Sequence, residues 1–107
     1  MSINVEIHQV EGFDSVPRYF NRNIEIFKAE RGYHGRMHYE DFTVESTHFK
    51  IIRQAIEDVV SRLQEKGFTK LRTRLSFRGK KYLGERGIRH FDDSEQWTNY
   101  PDKTVAQ

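Results

Sequence analysis

The chain has 107 residues, 18 Lys plus Arg against 16 Asp plus Glu, five His, no Cys and 36% hydrophobic residues, a length that suits one domain burying somewhat under about two-thirds of its unfolded surface. Nowhere do more than two hydrophobic residues follow one another, which excludes a membrane-spanning helix of about 20 residues and a signal-peptide core of about 7 to 15. The lack of Cys excludes disulfides, thiolate zinc sites, cysteine-held iron–sulfur clusters and cysteine nucleophiles, and suits a reducing cytosol.

Taken in chain order, Ile3, Val5 and Ile7 alternate with Asn4, Glu6 and His8 and predict a first strand. Residues 15–31 admit two readings. As a helix, Val16, Tyr19, Phe20, Ile24 and Phe27 share one face, Asp14 or Ser15 caps the start, Pro17 falls in the first turn and Gly32 closes the end. As a strand, residues 24–31 pair with 36–44 around Gly32, Tyr33, His34 and Gly35. The four-turn apolar stripe favours the helix, and residues 36–44 form a strand under either reading.

A long helix is predicted over about 47–66, because Phe49, Ile52, Ile56, Val59 and Leu63 step by three and four. Ser46 or Thr47 serves as N-cap, Asp58 and Arg62 stand in the favourable i, i+4 order, and Gly67 occupies the left-handed C-terminal cap with Leu63 and Phe68 in contact across it. From Phe68 to Phe77 the period is two, with Leu71, Thr73, Leu75 and Phe77 on one face and Lys70, Arg72, Arg74, Ser76 and Arg78 on the other. A two-residue turn at Gly79 and Lys80 pairs Phe77 with Tyr82 and Arg74 with Glu85 in a hairpin over about 68–91, with Gly84 and Gly87 interrupting the returning strand. The expectation is one α+β domain, residues 1–91, mainly an antiparallel sheet of about four strands with one or two helices on one face. A polar tail, residues 92–107, follows; Trp97 and Tyr100 are its aromatic anchors.

The strongest asymmetry is electrostatic. Residues 70–90 carry eight bases against Glu85 alone, a local charge of +7, which leaves ten bases and fifteen acids, or −5, elsewhere. Cations spaced about 6 to 7 Å along one strand face are placed to meet successive phosphates, so Lys70, Arg72, Arg74, Arg78, Lys80, Lys81 and Arg89 form a candidate polyanion-binding set for RNA, DNA or an acidic protein. The competing reading is a solubilising edge, or one neutralised by Glu40, Asp41, Glu45, Asp92 and Asp93 or by a second copy of the chain in a homodimer.

Other chemistry has weaker support. No glycine-rich nucleotide cradle occurs, so no cofactor is expected. His34, His38 and His48 with Glu40 have generic spacing and carry no metal assignment. No nucleophile-elbow pattern occurs, and an enzyme would need His38 or His48 gathered with a carboxylate in a pocket. The sequence therefore points first to a small non-enzymatic binding or regulatory domain, next to a homo-oligomeric interaction module, and third to a small enzyme.

Overall fold

A computed structural model describes residues 3–78, 81–82 and 97–103, the side chains at 77, 78, 81 and 82 excepted. Four strands, β1 (Ile3–Phe13), β2 (Tyr19–Ala29), β3 (Gly32–Tyr39) and β4 (Phe42–Glu45), form an antiparallel meander. Helix α1 (Ile52–Glu65) then crosses one face, and β5 (Thr69–Arg78) returns antiparallel to β1. Two short strands, β6 (Lys81–Tyr82) and β7 (Thr98–Asn99), pair with β5, and the sheet runs β4-β3-β2-β1-β5-β6. The α+β class and antiparallel sheet agree with expectation, but the sheet has six strands in its main order rather than about four, and the described residues hold one helix. No described helix is long and apolar enough to cross a membrane.

The undercount of strands has two causes. Residues 19–29 are a strand and not a helix. The helical stripe leaves Ile26 on its polar side, whereas strand alternation turns Phe20, Ile24 and Ile26 together to the core, at 3%, 0% and 0% exposure. Tyr, Phe and Ile suit a pleated, half-buried surface, and Asn21 and Asn23 are weak helix formers. The β2–β3 turn also falls earlier than the strand reading placed it, at Glu30 and Arg31, so that Ala29 pairs with Gly32 and Glu25 with Arg36. Gly32 has φ 125, and a Cβ there would stand 2.5 Å from the Phe49 carbonyl oxygen. That closeness comes from a bridge in which Tyr33 and Phe49 exchange two N–H···O bonds of 2.8 Å. Residues 36–44, expected as one strand, are broken by a two-residue turn in which Glu40 takes φ 42 and Met37 comes opposite Val44.

The helix starts at Ile52 rather than near Thr47. Phe49 is committed to the bridge, and the Ser46 hydroxyl accepts from the Gly35 N–H at 2.8 Å while donating to the Thr47 carbonyl, so neither Ser46 nor Thr47 caps α1. Ile51 occupies the N-cap position without a side-chain cap. Asp58 bonds Arg62 at 3.1 Å, as the spacing predicts. The C-terminus also follows the sequence. Gly67 at φ 94 is the left-handed residue, its N–H meets the Gln64 carbonyl at 3.0 Å, and the Phe68 N–H meets Leu63 at 3.1 Å.

The core lies between α1 and the β2–β4 part of the sheet. Ala55, Ile56, Val59, Val60 and Leu63 are the buried residues of α1, and edge-to-face contacts join Phe20, Tyr39 and Phe68. In the β1–β2 loop Asp14 is buried and accepts from the Tyr39 hydroxyl at 2.6 Å, the Val16 and Arg18 N–H groups and the Arg18 guanidinium. The Tyr39 bond, helped by the backbone donors, outweighs burial and holds the Asp14 carboxyl well below the usual carboxylate range.

On β5, Leu71, Thr73 and Leu75 are buried as alternation predicts, and Phe77 pairs with Tyr82 in the expected register. The turn residues Gly79 and Lys80, Glu85 and the rest of the returning arm lie outside the described residues. Beyond them β7 pairs with β5, the Tyr100 N–H reaches the Leu71 carbonyl, and Asp102 accepts from the Lys70 N–H at 2.7 Å.

Candidate functional site

Alternation along β5 puts Arg72 and Arg74 on the face opposite Leu71, Thr73 and Leu75, away from α1. Register supplies their neighbours, since Glu11 of β1 stands opposite Arg72 and Gln9 opposite Arg74. The Glu11 carboxylate accepts from both Nε and Nη2 of Arg72 and from the Tyr19 hydroxyl at 2.7 Å. Burial pushes this carboxyl up, but the bonds from Tyr19 and Arg72 together outweigh it, and its pKa falls below the ordinary value. Arg74 Nε donates to Gln9 Oε1 at 3.1 Å, and Gln9 Nε2 donates to Asn21 Oδ1 at 3.0 Å. A polar ladder thus crosses β5, β1 and β2 on the outer face.

Trp97 completes this surface. Because Thr98 pairs with Thr73, the residue before it comes level with Arg74, and the Trp97 ring centre lies 4.4 Å from the Arg72 guanidinium carbon and 4.5 Å from that of Arg74. Both distances are within cation–π range. Sequence reasoning placed Trp97 only as a tail anchor; no spacing within 97–100 points to Arg72 and Arg74, and the link appears only with the β5–β7 register.

The expected cation set divides into three parts. Arg72 is matched by Glu11 within the fold, and Arg74 shares the ladder with Gln9 and Trp97. Lys70 is exposed at φ 53. Arg78 and Lys81 face one another in the β5–β6 pairing, with their side chains outside the description, and Lys80 and Arg89 lie outside the described residues.

Of the three histidines, His34 and His48 come together, while His38 and Glu40 are engaged elsewhere. His34 stacks on Phe27 at 5.3 Å and leans on His48 at 4.8 Å, while His38 Nδ1 meets the Thr43 hydroxyl at 2.9 Å and Glu40 pairs with Arg18. Burial, and then the neighbouring His48, push the His34 imidazole down. Among the described residues no group of three or more His, Asp or Glu is placed to hold a metal ion. Arg36 lies over the Phe27 ring at 4.6 Å and pairs with Glu25 at 3.4 Å. No protein-family model, curated protein or solved structure matches the chain.

Proposed function

We propose that the chain is a non-enzymatic cytosolic binding domain that takes a single-stranded nucleic acid on the outer face of β5. The observation that carries this reading is the Trp97 ring lying against two guanidinium groups on a strand whose sequence continues into further cations. Sites for single strands combine cations that track the phosphates with aromatic rings on which bases stack, and guanidinium planes stack on bases as well. In this reading Lys70, Arg74, Arg78, Lys80 and Lys81 meet phosphates and Arg89 flanks them. Arg72 lies against the indole but is matched by Glu11, which withholds it from phosphate.

Trp97 is the sole Trp of the chain, so its emission reports binding directly. An oligouridine of about 12 nucleotides, inside the roughly 4 to 16 that such sites occupy, should quench that emission. With about five cations engaged, affinity should fall roughly a hundredfold between 50 and 200 mM salt. Silent fluorescence, or binding indifferent to salt, defeats the proposal. If fluorescence is silent and light scattering finds a dimer that splits on Arg72→Glu plus Arg74→Glu, the homo-oligomeric reading takes its place.

A further inference from the structure

The face of the sheet toward α1 is unevenly covered. The helix lies over β2, β3 and β4, and where its first turn stands beside β1 and β5 a cleft of about 270 Å³ opens. That is just below the volume of pockets that hold drug-sized ligands. Its walls divide by chemistry, with Ile52, Ile56 and Leu75 supplying the apolar part and His8, Arg53 and the bonded Thr73–Tyr100 hydroxyl pair the polar part.

Two groups decide what the cleft prefers. His8 Nε2 lies 2.8 Å from Glu6 Oε1, and both side chains are largely covered, at 13% and 15% exposure. A carboxylate accepts, so Nε2 is the donor in this pair and is taken up within the fold. Arg53 stands exposed at the rim, in a first helical turn that holds no acidic residue and whose N-cap, Ile51, offers no side-chain acceptor. The guanidinium and the positive end of the helix act in the same sense, while Glu57, one turn further on, opposes them at the Tyr100 hydroxyl.

We propose that this cleft binds a small carboxylate with an apolar body, the carboxylate on Arg53 and the body against Ile52, Ile56 and Leu75. The cleft opens on the helix side of the sheet but shares Arg74 with the Trp97 surface; its test, at Arg53 and with a small probe, is separate from that of the nucleic-acid reading.

Phenylacetate and its neutral amide, phenylacetamide, are suitable probes, followed by backbone amide shifts in a ¹H–¹⁵N correlation spectrum of the full chain. Phenylacetate should bind with a Kd of about 1 mM, as its few atoms allow, and move the amides of residues 52–56 and 73–75. Phenylacetamide should bind at least about tenfold more weakly, because it forfeits the charge-assisted bond. Arg53→Gln should weaken phenylacetate to the same degree and leave phenylacetamide unchanged. Arg53 is exposed, and the unchanged remainder of the spectrum verifies that the variant folds. Still amides at 52–56 and 73–75 through about 10 mM phenylacetate, ten times that Kd, overturn the proposal. Equal binding of the two probes, or indifference to Arg53→Gln, overturns it as well.

Discussion

The two faces of one sheet do different work here. Toward α1, Val10, Ile24, Ile26 and Met37 are at 0% exposure, and the polar group buried nearby, Asp14, has its donors supplied by Tyr39, Val16 and Arg18. On the outer face the same strands carry ion pairs, amides and half-covered rings in a chain of mutual contacts, Arg74 to Gln9 to Asn21 and Arg72 to Glu11 to Tyr19. Because side chains alternate along a strand, a core residue and an exposed polar one can be neighbours in sequence without sharing surroundings. Ile24 and Asn23 make the sharpest contrast. Ile24→Ala should cost about 2 to 5 kcal/mol through lost transfer energy and the cavity left behind, whereas exposed Asn23→Ala should stay within about 0.5 kcal/mol. Urea denaturation of both variants measures the division, and similar midpoints would break the comparison.

A smaller loss is expected at the end of α1. Gly67 sits at φ 94 with its N–H on the Gln64 carbonyl, a backbone region that costs an L side chain about 1 to 2 kcal/mol. Gly67→Ala should lower stability by that amount and leave oligouridine binding unchanged, which keeps the cap on the stability side of the division. A matching loss of binding would put the two faces in communication.

This C-cap was legible because every signal for it is local: the helical stripe, one glycine in the only position that needs it, and Leu63 and Phe68 flanking it. The register of Phe77 opposite Tyr82 was legible for the same reason, a short turn between alternating residues. What failed was non-local. Residues 19–29 carry an amphipathic pattern at helical spacing, and only pairing with β1 and β3 gives Ile26 a place in the core. Phe49 fits the helical stripe but is taken by Tyr33, sixteen positions earlier. At the candidate site the run of cations was visible, while the carboxylate matching Arg72 lies sixty-one positions away at Glu11, beyond the reach of any spacing argument.

That pairing makes Glu11 the next test. Glu11→Gln keeps an acceptor but removes the charge opposing Arg72, so stability should fall by only about 1 kcal/mol or less. If nucleic acid binds beside Trp97, affinity for oligouridine should rise severalfold at 50 mM salt, because a competing carboxylate is gone and Arg72 is released to phosphate. Weaker binding would mean that Glu11 holds Arg72 and Trp97 in the required geometry, and would shift the site's cations away from Arg72.

The smallest expected effect is a pH step that separates the faces by the groups that titrate. His34 sits on the outer face between Phe27 and His48, with Arg36 and Glu45 as its charged neighbours. Burial and His48 hold its pKa below the 6.5 of an unperturbed imidazole. As pH falls through 6.5 the unfolded chain takes up this proton first, so the His34 contribution to stability declines on acidification and levels off only below the folded pKa. Asp14 has the same sign but acts in a lower window. Its depressed pKa gives a contribution that is whole above the ordinary 3.8 and is lost only as pH drops below that toward the folded value. Between about pH 7 and pH 5, therefore, His34→Gln should flatten the fall of the urea midpoint, while Asp14→Asn should leave that slope alone and flatten the curve only below about pH 4. An unchanged slope in His34→Gln would remove the outer-face imidazole from the acid response.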